Sequence, residues 1–265
     1  MSRFKTMKGL FLKDIQSASQ QVNLLPDEGG KDIATLPEIL QNFLKDCGCK
    51  EGDGINYAII KWKDTMLRLS PNSGWEIISC EQVNYLKIPV RLVYMRLKFW
   101  KLFLVEAYDR FINNHGNMLV KLFKYISITD SRGKEMDEAE LVTILAETII
   151  IPAYALQKYV SWTVIDALTL KGVINFKGMS VSGLFYFNEQ NEILRFETYD
   201  RYYTVKGGGY QKIKWTARAE NYIQNRGRKY PSYFKASWRT EEGDFEYFKG
   251  SIESVEFNNT YSKSY

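Results

Sequence analysis

The sequence predicts an α+β protein built on one large, curved, antiparallel β-sheet of about eleven strands. Three observations carry that prediction. Aromatic residues make up 15% of the chain, with 18 Tyr, 15 Phe and 6 Trp, and such side chains favour pleated, half-buried strands. Strand-like segments follow one another through short polar turns, the pattern of an antiparallel meander. Strands and helices do not alternate, which argues against a doubly wound sheet. Residues 1–50 read as an N-terminal helical segment packed on the main domain. Residues 51–265 read as a single β-rich domain with a central helix at 137–151, and the helices are expected on the concave face.

The first stretch, MSRFKTMKGLFLKDI, sets Phe4, Met7, Leu10, Phe11 and Ile15 at helical spacing beside Lys5, Lys8 and Lys13. Two readings stand. The helix docks on its own domain, or it rests on an anionic membrane surface as a peripheral contact. No segment approaches the ~18 uninterrupted apolar residues of a membrane span, and the start lacks the apolar core of a signal peptide. After the loop LLPDEGGKD, Pro37 opens a second helix with Ile39, Leu40, Phe43 and Leu44 on one face, and Gly48 closes it.

Six strand-like runs follow: INYAIIKW, TMLRL, WEIISCEQVNYL, PVRLVYMRLKFW, VEAYDRFI and NMLVKLF. The turn signal NNHG joins the last two and holds His115, the single histidine. A turn residue needs no partner, whereas a general base needs a partner and a cleft. Beyond the central helix come VSWTVIDAL, MSVSGLFYF, EILRFETYD, YQKIKWTARA, SYFKASWRT and DFEYFKGSIESVEF. In SYFKASW, Phe234, Ala236 and Trp238 share one face, opposite Lys235 and Ser237. In GLFYF both faces are apolar. One clean and one mixed face fit a curved sheet that packs helices on its concave side. Gly207-Gly208-Gly209 lacks the spacing of a phosphate loop and reads as a hairpin tip.

The central helix lies in KEMDEAELVTILAETIIIPAYAL, Lys134–Leu156. At 100° per residue, Leu141, Val142, Leu145, Ala146 and Ile149 fall on one side, and Glu140 and Glu147 fall on the opposite stripe. Asp137-x-x-Glu140 has the form of a capping box. Glu138 falls in the first turn, where the helix dipole favours an anion. Pro152 stops the regular helix. Glu147 has no such role, and three readings stay open for it: a solvated face, a buried carboxylate bonded to an arginine of the sheet, or catalysis. Glu140 and Glu147 lie about 10 Å apart by helical rise, unlike glycosidase carboxylates at about 5–9 Å.

The net charge is +5, from 36 basic and 31 acidic residues. The charges are scattered, with RGRK at Arg226–Lys229 the longest basic run, so a solvated surface is expected and nucleic acid is not. Cys47-Gly-Cys49 is too tight for the usual zinc spacing, and the third cysteine, Cys80, stands alone. An odd count suits a reducing, cytoplasmic setting. No metal and no cofactor are expected.

Several blocks together resemble a bacterial family known only as a domain of unknown function. They are LPEILQNFL at Leu36–Leu44, the long block Arg110–Pro152, Trp162 with Asp166-Ala167, and Asp200-Arg201-Tyr202. Further on come Trp215, Gly227 through Pro231, and Trp238 with Gly243 and Tyr247. The match spans about Leu36 to Phe257. Two features depart from the family pattern: its arginine before Leu-Ala-Glu is absent, with Thr143-Ile144 in that region, and its small acidic segment is loosened to NNHGNM. Many relatives carry a membrane-spanning segment ahead of the domain, and no such segment is expected here. The resemblance implies a half-barrel-like sheet, similar in outline to bacterial lipoprotein carriers, with helices plugging the concave face.

Two functions follow as expectations. The first is binding of a lipid or other apolar molecule in a cavity under the central helix, lined by Asp130, Glu147, Trp162, Arg201, Trp215 and Trp238. The second is acid/base or hydrolytic chemistry by Asp130, Glu147 and Arg201. A structural or protein-interaction role with a filled core is the remaining alternative.

Overall fold

The first and last strands of the sheet lie side by side at its centre. The computed structural model describes residues 6–26, 29–50, 52–99, 102–205 and 208–258, with side chains at all of these except 98–99 and 102–104. Phe4, Lys5 and Gly207 therefore lie outside the described residues. From β1 (Tyr57–Leu67) the chain steps outward by hairpins through β2 (Glu76–Tyr85), β3 (Val90–Phe99), β4 (Leu102–Ile112) and β5 (His115–Leu122). It reaches one edge at β6 (Ile126–Ser131). A helix then carries it to the opposite edge, β7 (Val160–Asp166). From there β8 (Thr169–Phe176), β9 (Met179–Phe187) and β10 (Ile193–Thr198) step inward. A separate hairpin of β11 (Tyr202–Thr204) and β12 (Tyr210–Lys212) intervenes. The sheet resumes with β13 (Trp215–Asn225), β14 (Arg228–Thr240) and β15 (Gly243–Phe257), and β15 pairs with β1.

The main sheet thus has 13 antiparallel strands and two free edges, against the eleven expected from sequence. INYAIIKW and TMLRL are one strand, because Asp64 turns to φ 50° and forms a bulge instead of a break. The strands β6, β8 and β11 were not anticipated, and YQKIKWTARA divides into β12 and β13. The NNHG turn is as expected: Asn113 and Asn114 both take positive φ, 54° and 65°, as a tight hairpin requires.

Three α-helices are present among the described residues: α1 (Met7–Leu24), α2 (Glu38–Asp46) and α3 (Lys134–Ala146). None is long and apolar enough to cross a membrane. Pro37 precedes α2 and Gly48 ends it at φ 77°. α3 differs from the expected 137–151. It begins after Gly133 and passes at Glu147 into a 3-10 turn, Glu147–Ile149, followed by a second 3-10 helix, Pro152–Leu156.

The helix dictates how far the sheet curls. α3 touches both β5 and β9, which are nine strand spacings apart in the sheet order. On a flat sheet that is about 43 Å at ~4.8 Å per strand. A helix of 13 residues is only about 20 Å long. The sheet must roll around it, and α3 becomes the axis of an open half-barrel. Residues Glu138–Ala146 are consequently buried without a break.

The alternation of β3 sorts the two sides. Arg91, Val93 and Met95 face α3, while Leu92 and Tyr94 face α1. Phe11 of α1 sits on the rings of Tyr94 and Tyr108, with both centroids at 5.8 Å. Asp14 pairs with Arg110. α1 therefore packs on the convex face, whereas both N-terminal helices were expected on the concave one. The apolar stripe of Met7, Phe11, Ala18 and Val22 is buried against the sheet. α2 lies on the α3 side, where Phe43 meets Phe187 at 6.0 Å.

Candidate functional site

Under α3 one arginine gathers three carboxylates. Strand pleat points Arg91 of β3 inward, between the end of α3 and β4. Its Nε donates to Glu147 Oε1 at 2.7 Å. Its Nη1 donates to Asp109 Oδ2 at 2.7 Å and to Glu140 Oε2 at 3.0 Å. Gln82 Nε2 and Asn84 Nδ2 of β2 also donate to Glu147, at 2.8 and 2.6 Å. Asn84 reaches Tyr154 Oη at 3.0 Å as well. Glu140 is fully buried and Glu147 is 4% exposed.

These contacts answer the question over Glu147: it is a buried carboxylate bonded to an arginine of the sheet. They also correct the roles given to its neighbours. Asp137 does not cap α3, whose N-cap is Gly133. Asp137 Oδ1 instead accepts the Gly116 N–H at 2.6 Å, and a Cβ on Gly116 would lie 2.4 Å from the Met136 carbonyl. That close approach seats the start of α3 on β5. Glu140 reaches Arg91, not its own helix end. Periodicity separated an apolar from a polar stripe correctly, but the rolled sheet buries both.

Burial and the neighbouring Asp109 push the Glu140 carboxyl up to about 8, against the pull of Arg91 and Arg201. Burial acts to lower the Arg91 guanidinium, but Glu147, Glu140 and Asp109 outweigh it and hold it well above its ordinary value. Arg201 stands nearby. Its Nη1 donates to Thr143 Oγ1 and to the Ala139 carbonyl. Its guanidinium lies 4.6 Å from the Trp215 ring and 5.6 Å from that of Trp238, a cation–π arrangement.

A cavity of about 130 Å³ opens between this cluster and the sheet. Trp62, Val93, Met95, Trp215, Phe234 and Phe248 form its apolar walls. Thr143, Ala146 and Ile150 roof it, and Gln82, Arg91, Asp109, Glu147 and Arg201 supply polar lining. A larger cleft of about 550 Å³ lies between the loops at 25–33 and 49–56 and the second 3-10 helix. It holds none of the six site residues expected from sequence. The smaller cavity is the candidate site, because convergent polar side chains meet an apolar wall there.

Of the six residues read from sequence, Glu147, Arg201 and Trp215 line this cavity. Trp238 stands behind it, with its ring 6.5 Å from that of Trp215. Trp162 belongs to β7, donates to the Ala155 carbonyl and packs on Phe185. Asp130 is not in the site. It pairs across β5 and β4 with Leu119 and Tyr108, which places it on the α1 face, bonded to Asn117 and Arg132. Sequence reasoning missed Arg91, Asp109, Gln82, Asn84 and Tyr154. A signal was available: Arg91 shares its strand face with Val93 and Met95, so it must point inward and needs a buried counter-charge.

The fold and site together define an α+β half-barrel whose axial helix is pinned by a buried charge cluster beside an internal cavity. The chain belongs to the DUF6920 family, a family of unknown function, whose profile matches residues 34–257. No curated protein matches it. Among solved structures it is similar to a domain assigned to outer membrane lipoprotein sorting from Vibrio parahaemolyticus, at 11% identity and TM-score 0.49, covering 88% of this chain and 96% of that one. It is also similar to a LolA superfamily protein from Nitrosomonas europaea, at 9% identity and TM-score 0.45, covering 83% and 94%. A DUF1329 family protein from Desulfovibrio piger matches at 7% identity and TM-score 0.42, covering 85% and 92%.

Proposed function

We propose that the protein binds an apolar group, such as the end of one acyl chain, in the cavity between α3 and the sheet. The observation that carries this reading is the cavity itself, about 130 Å³ with aromatic and aliphatic walls beside a set of polar side chains. Volume sets the size of the guest. An apolar cavity of about 150 Å³ takes up benzene, whereas drug-sized ligands use pockets of about 300–1,000 Å³. The guest is therefore a single chain end or a small ring, with the rest of any lipid outside. Acid/base chemistry by Asp130, Glu147 and Arg201 has less support, because Asp130 stands on the other face of the sheet. Both oxygens of Glu147 are also already hydrogen-bonded.

Native mass spectrometry of protein purified from its own host, with uptake of a fluorescent fatty acid, tests the reading. A bound mass and saturable uptake are expected. Both should be lost in Val93→Phe, which fills the cavity from β3. A ligand-free mass together with no uptake overturns the proposal.

A further inference from the structure

Five charged side chains meet under α3, and their charges do not cancel. Arg91 comes from β3, Arg201 from the segment after β10, Asp109 from β4, Glu140 from α3 and Glu147 from the 3-10 turn. With every group ionised, two cations face three anions. The other polar and titratable groups packed against them are neutral: Gln82, Asn84 and the Cys80 thiol, which burial pushes up, from β2, Thr143 from α3 and Tyr154 from the second 3-10 helix. An uncompensated buried charge is strongly unfavourable.

The cluster carries a second defect. Asp109 Oδ1 and Glu140 Oε1 are buried with no hydrogen-bond partner. Their sister oxygens share the same donor, Arg91 Nη1, at 2.7 and 3.0 Å. One guanidinium nitrogen thus gathers both carboxyls, and Asp109 acts on Glu140 through its charge and through a side-chain hydrogen bond, both raising it. A single proton removes both defects. It cancels the surplus charge, and it turns one orphaned acceptor into a donor for the other, as in paired carboxylates elsewhere.

We propose that Asp109 and Glu140 share one proton at neutral pH, and that this proton latches α3 to β4 and holds the cavity's roof on the sheet. Burial and the Asp109 charge raise Glu140 in the same sense. When the proton leaves for solvent, two carboxylates remain face to face. Their repulsion pushes α3 off the sheet, and the roof at Ala146 and Ile150 parts from the floor. The latch does not depend on what occupies the cavity.

Infrared difference spectroscopy and cysteine labelling test the two halves separately. The wild type at about pH 7 should show the carbonyl stretch of a protonated, buried carboxylic acid. Glu140→Gln and Asp109→Asn each replace the shared proton with an amide hydrogen and should abolish that band. Cys80 is buried and lines the cavity. Its labelling by a thiol reagent, read by peptide mass spectrometry, reports opening. The ratio of wild-type to variant labelling at equal pH removes most of the thiol's own ionisation. That ratio should rise about tenfold or more between about pH 7 and 9, the change expected when a group titrates by one unit or more. A missing band, or one unchanged in both variants, overturns the shared proton. A band that behaves as expected with a flat labelling ratio overturns the latch. If one variant fails to fold, the other gives the same two readings.

Discussion

Arg91 is the residue on which the interior turns. Truncating one partner of a buried ion pair leaves the others uncompensated, typically at a cost of about 3–5 kcal/mol. Arg91→Met leaves Glu147, Glu140 and Asp109 together with only Arg201 near them. Denaturant unfolding at neutral pH should show a loss in that range, and a smaller loss in acid, where the carboxylates take up protons. Glu147→Gln sets an amide donor against Arg91, Gln82 or Asn84, and about 1.5–3 kcal/mol should disappear, as for hydrogen bonds to charged groups. The pH dependence follows from Glu140, held at about 8 in the folded state against an ordinary 4.5. Between those values the folded chain binds more protons than the unfolded one, so stability falls as pH rises. The contribution is complete below the ordinary value and gone above the folded one. Glu140→Gln should flatten this slope in unfolding curves taken at successive pH values, and a wild type with no slope in that window contradicts the assignment.

Helices and strands were legible in the sequence to different degrees, for physical reasons. The second helix carries its own punctuation in Pro37 and Gly48, and the NNHG hairpin carries two asparagines suited to positive φ, so local chemistry sufficed. The strand break at Lys63-Asp64 was misread, because a bulge and a turn use the same residues. The roles of Asp137 and Glu140 were out of reach, since periodicity names the faces of a helix without naming what covers them. At this scale Gly116 is the point to probe. In Gly116→Ala the new methyl meets the Met136 carbonyl at 2.4 Å, so α3 must shift, with a loss of about 1–3 kcal/mol as in other overpacked sites, readable by denaturation. The first helix precedes the family match at residues 34–257, yet it covers Leu92, Tyr94 and Tyr108. Removing residues 1–24 should leave those side chains bare and raise binding of a hydrophobic dye, the usual sign of exposed apolar surface.

Over the whole molecule, the sheet and its axial helix explain each other: a flat sheet of 13 strands has no use for a helix in its middle, and the helix has no cover without the roll. The same plan sets the order of assembly. β1 and β15 are neighbours, with Ala58 opposite Phe257, although about three quarters of the 265-residue chain separates them in sequence. Each half of the sheet grows by local hairpins, which form quickly, whereas a seam between distant segments must wait on a large loop closure. During synthesis β1 stays an unpaired edge until β15 leaves the ribosome. For all that time it offers a sticky border to other nascent chains, so trimming the C-terminal strand should send the protein into aggregates instead of a smaller soluble domain.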